Sequence, residues 1–331
     1  MKRVVSFGEI MLRLSPPGQE RFFQSPELRT YFGGSEANVA VSLAHFGVRS
    51  DYVTRLPANA IGDAALRALR AEGVGVEHVV RGGSRLGLYF VESGADLRPM
   101  RVVYDRAGSA FAQLDPAELD WPSILKDAAW LHLSGITPAL GDAPARAAQA
   151  AATAARAAGA TVSLDLNYRP ALWTGRDPRA VIRPLALASD VLIANPGAVD
   201  AMLGIRVDGA AEGERRLTAI AARVHEELGC AQVAMTHREV LSSSEHGWSA
   251  ALHDAKRKST HASRRYQVRL VDRVGGGDSF AAALIFARLS GRTDENAIAF
   301  ATAASALKLT IPGDFNRVSE EEVDRLLEAG A

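Results

Sequence analysis

Three consecutive glycines, Gly275, Gly276 and Gly277, precede Asp278 and form the segment whose residue types best suit chemistry. Glycines allow backbone N–H groups to turn toward a ligand, and a helix predicted from Asp278 to Leu289 adds unpaired donors and the positive end of its dipole. Such a site favours phosphate. A carboxylate beside a bound anion is unfavourable unless it takes a proton from an attacking hydroxyl, so Asp278 is a candidate general base. The alternative is a flexible turn with Asp278 as an ordinary N-cap.

Polar residues also occur where three predicted strands end. Arg169 follows the strand Val162–Leu166, Asn195 follows Val191–Ala194, and Thr236 ends Gln232–Thr236 with His237 and Arg238 behind it. The carboxyl ends of parallel strands meet at the edge of an open α/β sheet where ligands bind. These residues are therefore a candidate active-site rim.

Two of these rim residues have alternative interpretations. Pro170 keeps the chain extended after Arg169, whose guanidinium could pair with a carboxylate or a phosphate. The alternative is a surface arginine near Asp165 or Asp177. Asn195 is either a helix cap or a polar ligand of phosphate-bound water.

The segment from Arg85 to Ala107 predicts an antiparallel hairpin, because two strand patterns are joined by turn residues with no helix between them. Tyr89, Tyr104 and Arg106 could point from this hairpin into a shared space. An equally good interpretation has the tyrosines packed on the sheet and the arginine solvated.

The glycine pair Gly33 and Gly34 leads into an apolar helix, with Ser35 as the expected N-cap and Gly47 as the stop signal. Without side chains, these glycines allow close approach of the backbone at a strand-to-helix junction, where ligands of open α/β sheets bind.

The elements that must position these residues are strands alternating with helices. Short apolar strands begin at Arg3, Asp51, Trp130, Val162, Val191 and Gln232, and amphipathic helices separate most of them. This pattern predicts an α/β fold with a mainly parallel sheet covered on both faces. Residues 11–32 and 85–107 break the alternation and are expected to project from the main body. No repeat or flexible linker divides the chain, which predicts one domain over residues 1–331.

Composition excludes several classes of function. The 331 residues hold 38 basic and 38 acidic side chains, so no net charge favours nucleic acid or a membrane surface. One cysteine, Cys230, rules out an internal disulfide and suits a reducing cytoplasm. No leader pattern precedes Val4, no apolar run could cross a bilayer, and the histidines lack zinc-site spacing. P-loop and Rossmann glycine motifs are absent. The expected partner is a small molecule.

Two glycine segments together resemble the signatures of the ribokinase (phosphofructokinase-B) family of carbohydrate kinases. They are Gly33-Gly34-x-x-x-Asn38 near the start and Asp272-x-x-Gly275-x-Gly277-Asp278 near the end, and Gly276 stands where alanine is usual. The segments FGEIMLRLSPPG, YDR at 104–106, NYRP at 167–170 and ALKLTIPGDFN look like the 2-keto-3-deoxygluconate kinase branch. The resemblance covers essentially the whole chain.

This resemblance implies a three-layer α/β/α core with a small β lid formed by about residues 11–32 and 85–107. It also implies ATP-dependent phosphorylation of a sugar acid, 2-keto-3-deoxygluconate, at its terminal hydroxyl, with Mg²⁺ as cofactor. Asp278 would be the base, and the amides of Gly275, Gly276 and Gly277 would stabilise the transferred phosphoryl group.

The resemblance also implies the binding residues. The substrate would contact Gly34, Tyr89, Tyr104, Arg106, Arg169, Asp278 and Asp314, and the nucleotide would contact Asn195, Thr236, His237, Arg238, Gly275 and Gly277. Two cations near one ligand favour an acidic substrate. Residues from Thr236 onward would form the nucleotide-contacting turn, and Asp272 is the candidate for a monovalent cation, K⁺.

Two positions depart from the family pattern. Ala198 replaces the glutamate of an N-x-x-E motif that helps to organise Mg²⁺, and the nucleotide turn lacks its usual glycines. Two other functions therefore stay open. One is a kinase for another sugar, fructose or 2-keto-3-deoxygalactonate, and the other is a catalytically silent sugar-acid-binding protein. The open edge of the lid and the aromatic residues Phe22, Phe23 and Tyr31 predict a homodimer formed through the lid.

Overall fold

The computed structural model describes residues 2–207 and 213–329. Its strands are β1 (Arg3–Phe7), β2 (Met11–Ser15), β3 (Arg29–Gly33), β4 (Arg49–Leu56), β5 (Val79–Arg81), β6 (Gly87–Glu92), β7 (Arg101–Asp105), β8 (Trp130–Ser134), β9 (Thr161–Asp165), β10 (Val191–Ala194), β11 (Gln232–Ser242), β12 (Glu245–Asp254), β13 (Ser259–Ala262) and β14 (Tyr266–Arg269).

The α-helices of the same residues are α1 (Ser35–His45), α2 (Ala60–Ala71), α3 (Trp121–Ile124), α4 (Ile136–Ala139), α5 (Asp142–Ala157), α6 (Pro178–Leu187), α7 (Pro196–Leu203), α8 (Gly213–Leu228), α9 (Gly276–Leu289), α10 (Asp294–Lys308) and α11 (Glu320–Glu328). Short 3₁₀ segments cover Pro116–Glu118 and Pro170–Trp173. The apolar periodicity of the sequence predicts a helix from Ala211 to Leu228, and residues 211 and 212 of this prediction lie outside the described residues.

A ten-stranded sheet forms the centre, in the order β13-β12-β11-β10-β9-β8-β1-β4-β5, with β14 paired to β12. The pairings from β11 to β5 are parallel, and β12 pairs antiparallel with β11, β13 and β14. Consecutive residues of β1 face opposite layers of the core, since Val4 packs in the cluster of α9 and α10 and Val5 in that of α5 to α8. The predicted α/β/α architecture is confirmed.

A second, four-stranded sheet has the order β3-β2-β6-β7 and falls within the two segments that break the alternation. Its β6–β7 pair is antiparallel, as predicted for the hairpin, while β2 runs parallel to β6. The prediction of a small β sheet beside the core is confirmed. That this sheet acts as a lid within a single domain stays a prediction.

Three local predictions were wrong. Ser35 is the first residue of α1 rather than its cap, since Gly34 holds the N-cap position. Asp278 does not open its helix, because α9 begins at Gly276 and has Gly275 as its N-cap. Strand β11 continues to Ser242 instead of ending at Thr236, and the short strands β5 and β13 were not predicted.

Within the described residues, no helix is both long enough and apolar enough to cross a membrane.

Candidate active site

A cleft of about 690 Å³ lies between the small sheet and the carboxyl ends of β1, β8, β9, β10 and β11. Apart from Asp272, every site residue predicted from the sequence borders it. These residues are Gly34, Tyr89, Tyr104, Arg106, Arg169, Asn195, Thr236, His237, Arg238, Gly275, Gly276, Gly277, Asp278 and Asp314. The placement follows from topology, because parallel strands bring their carboxyl ends to one edge.

The glycine turn at the start of α9 leaves backbone donors available to a ligand. Gly275 adopts the left-handed conformation with φ of 83°, and no side chain caps the helix. A Cβ on Gly275 would lie 2.3 Å from the carbonyl oxygen of Asp314, whereas one on Gly277 would meet no atom within 4 Å. The first turn of α9 therefore borders the cleft, and no side chain at its N-cap accepts its N–H groups. Uncapped N–H groups at a helix N-terminus bind anions.

Asp278 is buried in the first turn of α9 and is held by two donors from α1. Ser35 Oγ donates to Oδ1 at 2.9 Å, and Asn38 Nδ2 donates to Oδ2 at 2.7 Å. Burial raises the pKa of Asp278, while the bonds from Asn38 and Ser35 and the charge of Arg169 act to lower it. The carboxylate is thus held in one orientation with a raised proton affinity, as a general base requires.

A second carboxylate, Asp165, lies near Asp278 at the end of β9. Burial and the charge of Asp278 raise the pKa of Asp165 to about 7. Asn167 connects the two sites, because its backbone N–H donates to Asp165 at 3.0 Å and its Nδ2 donates to Ser35 Oγ at 2.7 Å. Asn167 has a φ of 38°, a left-handed conformation that asparagine tolerates better than most residues.

Arg106 has a partner that the sequence did not indicate. Its Nε donates to Glu9 Oε2 at 2.8 Å, its Nη2 makes a second contact with the same oxygen, and Ser109 Oγ donates to Oε1. Glu9 and Arg106 are both buried. Arg106 borders the cleft, and Glu9 already balances its charge, so its contact with the substrate carboxylate stays a prediction.

Three other arginines, Arg169, Arg238 and Arg273, provide the positive charge of the cleft. No carboxylate in the described part of the chain lies within ion-pairing distance of any of them. Arg238 and Arg273 both keep exposed surface, but partial desolvation in the cleft, followed by the charge of Arg169, lowers the pKa of Arg238, and partial desolvation and both neighbouring arginines lower the pKa of Arg273. A bound anion would relieve this repulsion. Arg273 was not predicted as a site residue, although it lies two residues before Gly275.

Tyr89, on β6 of the small sheet, reaches the main body. Its hydroxyl donates to Asp314, and its ring stacks on Tyr104 with centroids 5.9 Å apart. Asp314 also pairs with Arg13 of β2 at 3.0 Å. The predicted meeting of Tyr89, Tyr104 and Asp314 at one place is observed, and Arg13 is an addition to it.

The residues expected to bind the nucleotide lie together, but not on a turn. Asn195 caps α7 by accepting the N–H of Ala198 at 3.0 Å, and Thr236 Oγ1 donates to the carbonyl of Ala194 at 3.2 Å. His237 and Arg238 continue β11 and pair with β12. The expected nucleotide-contacting turn was wrong, because pairing with β12 extends the strand to Ser242.

Asp272 lies behind the glycine turn and outside the cleft lining. Its Oδ1 accepts the N–H of Val274 at 3.0 Å, and its Oδ2 accepts the N–H of Gly313 at 3.0 Å and pairs with Arg13 at 2.8 Å. Among the described residues, no group of three or more His, Cys, Asp or Glu side chains could hold a metal ion. The N–H groups of Val274 and Gly313, together with Arg13, already occupy both carboxylate oxygens of Asp272.

The sequence matches the pfkB family of carbohydrate kinases over residues 1–320. The chain belongs to this family. Its fold is similar to that of 2-dehydro-3-deoxygluconokinase from Thermotoga maritima, with a TM-score of 0.95 and 45% identity over 99% of this chain and 98% of that one. The family resemblance inferred from the two glycine segments is confirmed, and so is the prediction of a phosphotransferase.

Two curated relatives of this pfkB-family kinase carry different substrate names. The 2-dehydro-3-deoxygalactonokinase of Haloferax volcanii is 33% identical over 99% of this chain and 97% of its own length. The 2-dehydro-3-deoxygluconokinase of Thermoproteus tenax is 30% identical over 99% of this chain and 95% of its own length. A carbohydrate kinase is therefore established, and its sugar remains to be proposed.

Proposed function

We propose that this kinase transfers the γ-phosphoryl group of ATP to the terminal hydroxyl of 2-keto-3-deoxygluconate, which is 2-dehydro-3-deoxygluconate under its systematic name. The observation that carries the proposal is the buried Asp278 carboxylate beside the uncapped first turn of α9. A base and a set of anion-binding amides at one point are what transfer of a phosphoryl group to an alcohol requires.

The proposed reaction begins with Asp278 accepting the proton of the terminal hydroxyl. The hydroxyl oxygen attacks the γ-phosphorus, the bond from that phosphorus to the bridging oxygen breaks, and ADP leaves. The N–H groups of Gly276 and Gly277 donate to the transferred phosphoryl oxygens. Arg238 and Arg273 bind the phosphates and oppose their mutual repulsion.

Magnesium fits the site as a counter-ion that arrives with the nucleotide. Mg²⁺ commonly keeps several waters and binds through phosphates and one or two carboxylates. Asp165 is the cleft carboxylate suited to such a contact, since Glu9 and Asp314 are paired with arginines and Asp278 faces the acceptor. The residue at 198 is a buried alanine and offers no ligand. Bound with the nucleotide, the ion would neutralise charge on the phosphates.

Arg169 is the proposed partner of the substrate carboxylate. It borders the cleft on the side of Asp278 and has no carboxylate partner among the described residues. Tyr89, Tyr104, Gly34 and Asp314 surround the remaining space and are proposed to contact the hydroxyl groups. Arg106 and Glu9 together offer a neutral pair, which suits a hydroxyl better than a carboxylate.

A second candidate substrate is 2-keto-3-deoxygalactonate, because the Haloferax volcanii relative is named for this sugar acid. The two sugar acids differ only in configuration at one carbon, so the contacts to carboxylate and terminal hydroxyl serve both.

The test is release of ADP with 2-keto-3-deoxygluconate, 2-keto-3-deoxygalactonate and fructose. We expect the first to give the highest kcat/KM, and Asp278→Asn to lower kcat by roughly 10²–10⁴ through loss of the base. Asp142→Asn, at an exposed acid of α5, is the control and should leave turnover unchanged. Preference for fructose would remove the carboxylate argument, and no turnover with any sugar would favour a silent sugar-acid binder.

A homodimer in the cytoplasm, with no nucleic acid or membrane partner, completes the proposal. Phe22 contacts Phe90 and Tyr31 contacts Arg13 within the chain, which leaves Phe23, Leu97 and Val103 as exposed apolar side chains near or on the small sheet. Light scattering on the purified protein would test the dimer. A monomer at all concentrations would refute it.

A further inference from the structure

Lys308, the last residue of α10, is completely buried behind the glycine turn. Its Nζ donates to the backbone carbonyl of Gly313 at 2.9 Å and to that of Ile311 at 3.2 Å. A buried lysine is rare because its charge and its donors must both be satisfied. Two carbonyl acceptors satisfy the donors, and the surrounding charges show how the ammonium is balanced.

Two acids and one further cation surround this ammonium. Asp272 and Asp314 attract it, Asp278 acts in the same direction with a smaller effect, and Arg13 repels it. Arg13 contacts both acids, Asp272 at 2.8 Å and Asp314 at 3.0 Å. Burial lowers the pKa of Lys308, and the nearby carboxylates oppose that effect. Two acids and two cations thus form a buried cluster without net charge.

The cluster supports the phosphate-binding turn from behind. A Cβ on Gly275 would lie 3.1 Å from Lys308 Cε and 2.3 Å from the carbonyl oxygen of Asp314. Asp272 accepts the N–H groups of Val274 and Gly313. One turn earlier in α10, Ser305 Oγ donates to the carbonyl of Gly276 at 2.6 Å. The position of the Lys308 ammonium therefore helps to fix the backbone whose amides face the cleft.

Backbone carbonyls beside a carboxylate form a group of ligands that also suits a dehydrated potassium or ammonium ion. We propose that Lys308 is a positioning residue whose ammonium acts as a built-in monovalent cation, so that this kinase needs no K⁺ at Asp272. The inference deepens the proposed function at the same site and concerns the shape of the amide turn rather than the identity of the sugar. In place of the K⁺ expected at Asp272, the protein would use the ammonium group of its own Lys308 side chain.

An ordinary helix-terminal lysine offers a comparison within the chain. Lys2 Nζ donates to the carbonyl of Leu289, the last residue of α9, at 2.8 Å on the surface. That contact is exposed and involves no buried acid. Lys2→Ala is therefore the matched control for loss of a lysine that binds a helix-end carbonyl.

The experiment compares wild type, Lys308→Ala, Lys308→Met and Lys2→Ala in chlorides of tetramethylammonium, sodium, potassium and ammonium at equal ionic strength. Thermal unfolding and kcat are both measured. We expect the kcat and the Tm of wild type, and likewise those of Lys2→Ala, to be the same in all four salts. Lys308→Ala should lose roughly 10²-fold in kcat in tetramethylammonium, the cost of a displaced anion-binding donor. Potassium or ammonium should raise the kcat of Lys308→Ala at least about tenfold. Either ion should also raise the Tm of this variant, because it binds the folded state.

Lys308→Met separates charge from space. Methionine fills the channel of the lysine stem without a charge, so its losses should not be restored by any cation. If Lys308→Ala does not fold in tetramethylammonium chloride, recovery of folded protein in potassium or ammonium chloride replaces Tm as the measurement, and recovery in neither overturns the proposal.

Two further results would overturn it. One is a wild-type enzyme that is stimulated several-fold by potassium, and the other is a folded Lys308→Ala variant that responds to no cation. The unfolding measurements need no substrate, so they stand even if the proposed sugar acid is wrong.

Discussion

The protonation of Asp278 is set by forces of opposite sign. Burial raises its pKa, and hydrogen bonds from Asn38 and Ser35 lower it because they stabilise the ionised form. A base must be ionised to accept a proton, so activity should fall as the solution becomes more acidic than this pKa.

Asn38→Ala should move the acidic limb of the kcat/KM profile to higher pH. The change removes the 2.7 Å bond to Oδ2, so the carboxylate loses a donor and its pKa rises. A complete pH profile of the variant and of wild type measures the shift. An unchanged limb with reduced kcat would mean that Asn38 only orients the carboxylate.

Arg238→Gln and Arg273→Gln should each raise KM for ATP by roughly 10- to 100-fold, the usual contribution of a hydrogen bond to a charged group. The reason is that these guanidinium groups face the cleft and lack a carboxylate partner in the described chain. Arg269→Gln, on an exposed position of β14, is the control. Equal KM in all three variants would place the phosphates elsewhere.

The residue types of the site could be predicted from the sequence, but their pairings could not. Arg106 and Glu9 are 97 positions apart, and Ser35 and Asp278 are 243 apart. Contacts of this kind depend on how the two sheets meet, which no local pattern encodes. The same limit explains why Ser35, a good capping residue by type, instead binds the candidate base.

Among the elements of the structure, the start of α9 allows a matched comparison of two glycines. Gly275→Ala should destabilise the protein by roughly 1–3 kcal/mol or more, since alanine is strained at a φ of 83° and its Cβ would collide with the carbonyl of Asp314. Gly277→Ala should leave stability nearly unchanged, because its Cβ meets open space, yet lower kcat/KM by intruding on the anion site. Urea unfolding together with kinetics separates the two effects, and equal destabilisation would contradict the geometry.

Element existence was predictable where apolar periodicity was long, and element ends were not. The pattern HREVLS after Thr236 is polar enough to indicate a turn, but it pairs with β12 as the exposed half of a long hairpin, with a register shift between Val240 and Ser242. Cross-strand pairing stabilises such a segment even when it has no apolar side facing the core.

For the molecule as a whole, buried ionisable groups make stability depend on pH. Burial lowers the pKa of His132, on β8, to about 3. An unfolded histidine binds its proton near pH 6.5, so below that value the unfolded state binds more protons and stability falls as the pH decreases toward 3.

His132→Leu should reduce this dependence. Between pH 6.5 and pH 5, the histidine accounts for a loss of about 2 kcal/mol in the free energy of unfolding, and leucine removes it. Urea unfolding at several pH values provides the measurement. A variant with the same slope as wild type would show that other groups dominate.

Asp165→Asn should act in the opposite pH direction. The folded-state pKa of Asp165 is about 7, so wild type loses stability as the pH rises from about 4 to 7 and the buried group ionises. At pH 8 the asparagine variant should be more stable by at most about 4 kcal/mol. Lower stability at that pH would indicate that the ionised form has partners absent from this structure.

The order of layers could be predicted because alternating strands and helices leave few topologies, and right-handed crossovers leave fewer. The junction of the two sheets could not, since it depends on polar side chains from distant segments. Arg13 illustrates this. It lies in a segment that makes a poor core by composition, yet it is almost completely buried.

The double attachment of Arg13 to Asp272 and Asp314 has a consequence for how reactants enter. Strand β2 is anchored to the main body, whereas β7 is mostly exposed. Amide hydrogens should therefore exchange slowly with solvent along β2 and rapidly along β7. The cleft would then open to sugar and nucleotide through movement of β7, while β2 stays attached to the main body.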